Sequence, residues 1–355
     1  MPRRGMKNSK LFHNMALAQQ LYHFKAILSI LLFVTVVWNL KLFVTQYVAD
    51  NGKGDNAASL LILIWHWPFH GAPNLTDNVC YDLYGIKNCQ LTDNRSMFVQ
   101  ADVVVFHQRE LQKSSALPYK TKPPGQKWVW ASLESPSNVL DLEKWNHIFN
   151  WVLSYRQDSD IFVPYGKMML HSPSTSFTIP QKTGLVSWVI SNYKSTQERA
   201  LFYKNLSQHL KVNIYGKAAK KVLCPKCLLP MVSKYKFYLA FENSIHRDYI
   251  TEKMWCNSFE AGAVPVVLGP PRTNYEQFVP PDSFIHVEDF ESPEQLATFL
   301  RTMNTSQYKE FFQWRRKYSV KLLQDWRERF CSICAVYHSL PQEKIYYNLQ
   351  EWFKA

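Results

Sequence analysis

The 355-residue chain has no short internal repeat, no low-complexity segment and no long run of Lys or Arg. The first absence excludes solenoids and propellers, and the second excludes a largely disordered chain. The third removes the polybasic arm of many nucleic-acid binders. Acidic residues are also in short supply, 28 Asp and Glu against 41 Lys and Arg, for a net charge of +13. Residues 1–50 hold six of the bases and one acid, which leaves +8 on the remainder. A surplus of that size favours anionic ligands such as a nucleotide, a phosphate or an acidic sugar. It is dispersed through a Trp-rich chain, so no nucleic-acid partner is expected. What is present is apolar, 46% hydrophobic and 15% aromatic, enough for a sizeable core and two domains of ordinary size.

The N-terminus sets the compartment. Ala26 to Leu40 is fifteen residues without a charge, and with Leu42 to Val44 it approaches the ~17–25 needed to span a bilayer. Arg3, Arg4, Lys7, Lys10 and Lys25 precede it, which places the N-terminus in the cytosol. The expected layout is a cytosolic tail (1–25), an uncleaved transmembrane signal-anchor (26–44) and a polar stem (45–57), with a cleaved signal peptide as the competing reading. A lumenal body agrees with acceptor sequons at Asn74, Asn94, Asn205 and Asn304. Six of the seven cysteines lie in close pairs, expected in an oxidising lumen as Cys80–Cys89, Cys224–Cys227 and Cys331–Cys334. A cross-pairing of Cys80 and Cys89 with Cys331 and Cys334 is the alternative. Cys224-Pro-Lys-Cys227 also has the form of a redox motif, or of half a zinc site completed by Cys331 and Cys334. Cys256 is left as a free thiol.

Buried-strand patterns recur along the body at Leu60–Trp67, Val103–Phe106, Trp128–Ser132 and Ile161–Val163, with a helical pattern over Leu140–Leu153. A Pro- and Ser-rich link at His171–Gly184 precedes a second series. That series has strands at Leu185–Ile190, Val212–Tyr215, Phe237–Phe241, Ala263–Leu268 and Phe284–Val287. Its helices are expected over Thr196–Leu210, Pro293–Met303 and Gln307–Glu328. Strands that end in polar loops and alternate with helices predict an α/β protein of two Rossmann-like domains, 58–175 and 176–355, facing a cleft.

Candidate chemistry gathers at strand ends. After Phe241 come Glu242, Asn243, Ser244, His246, Arg247 and Asp248, then a helix that Asp248 is expected to cap and that ends near Gly262. On that helix Tyr249, Glu252, Lys253 and Cys256 would share a face, offering a cation to a phosphate and a carboxylate to sugar hydroxyls. A solvated Glu–Lys face is the structural alternative. Asn192 ends a strand, and Arg199 begins the next helix, where it could clamp a diphosphate. Glu134 ends a buried strand and is turned by Ser135-Pro136 toward the cleft, as a general base for a hydroxyl should be. A cap or ion pair is its structural alternative. His107, Gln108 and Arg109 end the neighbouring strand. Asp158-Ser159-Asp160 has the D-x-D form of a metal–diphosphate site but lacks further ligands, and reads as a turn; no metal site is expected.

FENSIHRDYITEK (241–253) followed by AGAVPVVLGPPRTNYEQFVPPDSFIHVEDF (261–290) resembles the donor-binding signature of the α-1,3-fucosyltransferases, glycosyltransferase family 10. WHWPF (65–69), VVVFHQREL, WVWASLESPS, IFNWVLSYRQDSDIFVPYG and DWRERFCSIC extend the resemblance from Leu60 to the C-terminus. It implies a GT-B fold, GDP-β-L-fucose as donor with no cofactor required, inversion at the anomeric carbon and a type II Golgi location. Carried over, Glu134 would be the base, Arg199 and Lys253 would hold the diphosphate and Glu252 would contact the fucose. Asn243 and Tyr249 would shape the donor pocket, to which Asn192 and Glu242 are also assigned. Arg109 lies where the family has Arg or Trp, implying type 2 lactosamine as acceptor, sialylated in keeping with the positive charge. Gln108 departs from the family's His. Alternatives are a neutral acceptor, another GT-B glycosyltransferase, or a non-enzymatic lumenal glycan-binding protein.

Overall fold

The computed structural model describes residues 59–114, 117, 121–170 and 177–355. Among these no helix is long and apolar enough to cross a membrane. The expected tail, anchor and stem lie outside the described residues.

The first layer begins with β1 (Leu60–Ile64), α1 (Val79–Tyr84), β2 (Cys89–Thr92), β3 (Val103–His107) and α2 (Gln108–Ser114). It continues with β4 (Lys127–Ser132), β5 (Trp151–Ser154) and β6 (Ile161–Phe162). These strands form one parallel sheet in the order β2-β1-β3-β4-β5-β6. Covered on both faces, its central strands are almost wholly apolar, as the run Val103–Phe106 shows. Trp128, Trp130, Trp151 and Phe106 are fully buried there, each contributing about 1.5–3 kcal/mol.

β7 (Gly166–Leu170) leads to the second layer: β8 (Gly184–Val189), α3 (Glu198–His209), β9 (Asn213–Tyr215), α4 (Leu228–Val232), β10 (Tyr235–Phe241) and α5 (Glu252–Met254). There follow β11 (Val264–Leu268), α6 (Arg272–Tyr275), β12 (Ile285–His286), α7 (Pro293–Thr302), α8 (Thr305–Glu310), β13 (Tyr318–Leu322), α9 (Trp326–Val336) and α10 (Leu349–Lys354). The second sheet, β12-β11-β10-β8-β9, is again parallel throughout. Two parallel sheets with crossover helices match the expected GT-B architecture.

Four local expectations give way to tertiary forces. Leu140–Leu153 is not a helix: its apolar residues make a short turn at Leu142–Trp145 and then strand β5, because the edge of β4 offers a ladder. The helix expected over Gln307–Glu328 breaks after Glu310, and Tyr318–Leu322 pairs antiparallel with β7. Phe330, Ile333, Leu349 and Phe353 pack into the core of the first sheet, so the last thirty residues complete the first layer rather than the second.

The fourth is the cysteine pairing. Cys80 bonds Cys331 and Cys89 bonds Cys334, in place of the expected Cys80–Cys89 and Cys331–Cys334. The return of α9 onto α1 and β2 brings all four together, which no local spacing could reveal. Cys224–Cys227 is bonded as expected, and Cys256 is free.

Candidate active site

The carboxyl edges of the two sheets face each other. Chain leaving β4 carries Leu133, Glu134 and Ser135; chain leaving β10 carries Glu242, Asn243 and Ser244. Three side-chain hydrogen bonds join them: Ser244 Oγ to Ser135 Oγ at 2.6 Å, Ser137 Oγ with His246 Nε2 at 2.7 Å, and Tyr249 OH to Glu134 Oε1 at 2.9 Å.

Glu134 is half-buried. Its Oε1 accepts from the Ser135 amide at 3.0 Å and from Asn138 Nδ2 at 3.0 Å as well as from Tyr249. Its Oε2 has no partner among the described residues. Three donors thus fix the carboxylate through one oxygen and leave the other unengaged among the described residues. Burial holds the Tyr249 phenol well above its ordinary pKa, helped by Tyr165, Glu134 and Glu242, so Tyr249 always donates.

Glu134 lines a cavity of about 410 Å³ shared with Phe69, His107, Gln108, Arg109 and Glu252. Of the expected acceptor-side residues, Arg109 lies over the Phe69 ring at 4.9 Å. Gln108 is buried and donates to Gln112 at 2.5 Å. His107 pairs with Glu110. Burial pushes the Glu110 carboxyl up, but the His107 hydrogen bond brings it below its ordinary value. Tyr165, Trp326 and Arg329 also line the cavity and were missed. Trp326 and Arg329 fell at or beyond the end of the supposed long helix, although DWRERF, with two arginines around a carboxylate, was a signal. Arg329 is buried, lies 4.7 Å from the Trp326 ring, and its Nε has no partner among the described residues.

On the facing side, Lys253 spends its three donors on Glu242 Oε2 at 2.9 Å, Thr251 Oγ1 at 2.7 Å and Glu252 Oε1 at 3.1 Å. Burial disfavours the ammonium, yet Glu242 and Glu252 overcome it and raise the Lys253 pKa above its ordinary value. Glu242 is buried and also takes the amide and hydroxyl of Thr251. Arg199, in the first turn of α3, is buried; its guanidinium donates to the Asn192 carbonyl at 2.5 Å and to Gln197 at 3.1 Å. Burial lowers its pKa, while Glu242, Tyr249 and Glu252 act in the opposite direction, which places Arg199 in the field of the same cluster. Asn243 accepts from Ser244 at 3.0 Å.

Two details differ from expectation. Asp248 caps no helix. It sits at φ 61°, its carboxylate accepting the Gln157 amide at 2.9 Å and Asn274 Nδ2 at 2.7 Å, tertiary bonds that replace a cap. Thr251 is the residue before α5, and the helix widens into a π-helix over Trp255–Glu260. Tyr249, Glu252, Lys253 and Cys256 therefore do not form one α-helical stripe, and Tyr249 is freed to reach Glu134. The Asp158 carboxylate is held by Arg156 at 2.7 and 2.9 Å. Asp160 takes the Val152 amide, Lys344 and Tyr346. Both carboxylates have the partners of a structural turn. The four sequon asparagines are exposed.

Two parallel Rossmann-like sheets whose carboxyl edges converge on Glu134 and, facing it, on the Lys253–Glu242–Glu252 cluster with Arg199 define a GT-B glycosyltransferase. The chain belongs to glycosyltransferase family 10, the fucosyltransferases: the family's C-terminal model matches residues 179–352 and the N-terminal fucosyltransferase model residues 57–166. It is 56% identical over 322 residues to alpha-(1,3)-fucosyltransferase 7 of Rattus norvegicus, covering 90% of this chain and 86% of that protein. It is 52% identical over 310 residues to the Homo sapiens protein of that name, covering 86% and 90%. Identity is 42% over 304 residues with 4-galactosyl-N-acetylglucosaminide 3-alpha-L-fucosyltransferase 9 of Rattus norvegicus, covering 85% and 84%. A crystal structure of an alpha1,3-fucosyltransferase with GDP-fucose superposes with a TM-score of 0.55 at 17% identity, over 83% of this chain and 94% of that one. At that identity the likeness speaks for the fold. The chain is thus an enzyme, a fucosyltransferase.

Proposed function

We propose that this enzyme transfers L-fucose from GDP-β-L-fucose, with inversion, to the 3-hydroxyl of GlcNAc in α-2,3-sialylated type 2 lactosamine, forming sialyl Lewis x-type glycans. The observation that carries the reading is Glu134, fixed through Oε1 by three donors and free at Oε2, across the cleft from Arg199 and Lys253. The relatives' names and the GDP-fucose in the superposed structure support the donor and linkage.

Glu134 Oε2 takes the proton of the acceptor 3-hydroxyl as its oxygen bonds to the fucose anomeric carbon. The bond from that carbon to the β-phosphate oxygen breaks, and its electron pair leaves with GDP. Charge grows on the diphosphate, where Arg199 and Lys253 supply fixed cations, each worth about 3–4 kcal/mol in a dry site. Lys253 must exchange one bond to reach a phosphate. Glu252, with about half of its side chain exposed, is the partner to release, since Glu242 is buried and held by Thr251. Released, Glu252 is placed to accept from the fucose hydroxyls, with Asn243 and Asn192 beside the donor.

Arg109 and Arg329 in the cavity of Glu134 suit an anionic acceptor. A type II Golgi placement accords with the basic N-terminus, the exposed sequons and the disulfides. The test is transfer of labelled fucose from GDP-fucose to neutral and α-2,3-sialylated type 2 lactosamine in parallel. Sialyl Lewis x should dominate; a product from the neutral acceptor alone would overturn the acceptor assignment.

A further inference from the structure

The carboxyl edge of the first sheet continues past the base. Next to β4 lies β3, which ends at His107; beyond it β1 leads into Trp65-His66-Trp67, and β2 into Asp93-Asn94-Arg95. At about 4.8 Å per strand, the ends of β1 and β2 lie on the order of 10 and 14 Å from that of β4. A second groove, about 560 Å³, opens there between Trp65, His66, Trp67, Asp93, Arg95 and Glu110. Glu110 belongs to both regions. It lines this groove, while its carboxylate takes the Phe69 amide at 3.1 Å and His107, both of which line the cavity of Glu134. The two recesses are therefore consecutive along one sheet edge, at the reach of the outer sugars of a linear glycan.

Four charged groups line the groove, Asp93, Arg95, Glu110 and Lys113, and the first three differ in how far they are committed. Asp93 accepts from Trp67 Nε1 at 2.9 Å, and Glu110 is taken by His107. Arg95 lies 4.5 Å over the Trp65 ring and donates one Nη2 bond to the Trp65 carbonyl at 3.0 Å. It has no carboxylate partner among the described residues, and its Nε and Nη1 are engaged by none. A guanidinium already ordered by a ring and a carbonyl loses little further entropy when it binds a carboxylate side-on. His66 Nδ1 is buried without a partner among the described residues. Burial and Arg95 lower the His66 pKa against an opposing pull from Glu110, which favours the neutral ring; with Nδ1 buried, Nε2 is the atom left to meet a sugar hydroxyl.

We propose that this groove is the outer acceptor subsite, taking the carboxylate-bearing sugar with Arg95 as its counter-charge and His66 as a partner for its hydroxyls. The inference rests on the acceptor reading above and sharpens it: the carboxylate itself meets Arg95 at the ends of β1 and β2, and Arg109 and Arg329 contribute charge to the inner cavity.

Arg95→Ala and Arg95→Lys test it, and both keep the Asn94-X-Ser96 sequon intact. With GDP-fucose saturating, kcat/KM is measured for α-2,3-sialylated and neutral type 2 lactosamine. In Arg95→Ala the ratio of sialylated to neutral kcat/KM should fall about tenfold or more. The loss should lie in KM for the sialylated acceptor, with partial recovery in Arg95→Lys. Equal losses for both acceptors, or no change in the ratio, would overturn the proposal. Saturation-transfer NMR with sialylated lactosamine reads the subsite without turnover. Contacts of the acidic sugar with wild type that vanish in Arg95→Ala would support the subsite even if the transfer reading failed. Contacts that survive in the variant would sink it. Melting temperatures of both variants identify misfolding, and if Arg95→Ala fails to fold, Arg95→Lys decides by the same ratio.

Discussion

The Tyr249 phenol donates to Glu134 Oε1 at 2.9 Å, tying a residue after β10 to one after β4. This bond crosses from the edge of one sheet to that of the other, and it orients the only carboxylate that the sequence reading assigned as base.

Glu134→Gln removes the proposed base while keeping an acceptor for Tyr249. Transfer should fall by about 10²–10⁴, while GDP affinity by isothermal titration stays near that of wild type. Near-normal turnover would remove Glu134 from the mechanism.

Tyr249→Phe deletes one of three orienting donors to a charged oxygen, an interaction worth about 1.5–3 kcal/mol. We expect kcat to drop about ten- to a hundredfold. A rise in KM for GDP-fucose with kcat intact would instead make Tyr249 a donor-pocket residue alone.

Lys253→Ala leaves Glu242 buried without its ammonium, at a cost of about 3–5 kcal/mol. Burial pushes the Glu242 carboxyl upward, and without Lys253 it loses the cation it is hydrogen-bonded to, leaving only the field of Arg199 to counter that burial. A group whose folded pKa is raised gives stability that is present below its unfolded pKa and lost as pH rises through the folded value. The melting temperature of Lys253→Ala should therefore fall, relative to wild type, as pH rises from the carboxylate range toward neutrality. Adding Glu242→Gln should recover much of the stability and none of the activity. A deficit that is flat with pH would mean that Glu242 is not the group left exposed to the penalty.

Peptide mapping without reduction should recover Cys80 linked to Cys331 and Cys89 to Cys334. These bonds close loops of 251 and 245 residues, and removing both should cost about 5 kcal/mol, not twice that, because the loops nearly coincide. Because α9 carries Trp326 and Arg329 into the cavity, reduction should weaken acceptor binding before it weakens GDP binding. Loss of both together would point to global unfolding.

Much of this was legible in the residues themselves. Val103–Phe106, Trp128–Ser132, Phe237–Phe241 and Val264–Leu268 are apolar runs too short for helices and too continuous for exposed strands, so they announce buried parallel strands. Glu242 follows such a run directly, while Glu134 follows Trp128–Ser132, and Asn192 follows Leu185–Ile190, after one intervening residue, which sets them at the strand ends where open α/β sheets bind ligands. The segments that went astray, Leu140–Leu153 and Gln307–Glu328, are aromatic and mixed in period. Strand or helix there depends on whether a partner edge is available, and β4 and β7 supplied it.

The sequence alone thus determined two α/β layers, the strand ends that carry the polar groups, and the family to which the chain belongs. The tertiary structure decided which cysteines pair, that the last thirty residues close the first layer, and that Tyr249 reaches Glu134 while Asp248 turns to Gln157 and Asn274. These are contacts between residues tens to hundreds of positions apart. They are set by how the layers pack and where a helix widens by one residue, and no local pattern of hydrophobicity or spacing records that.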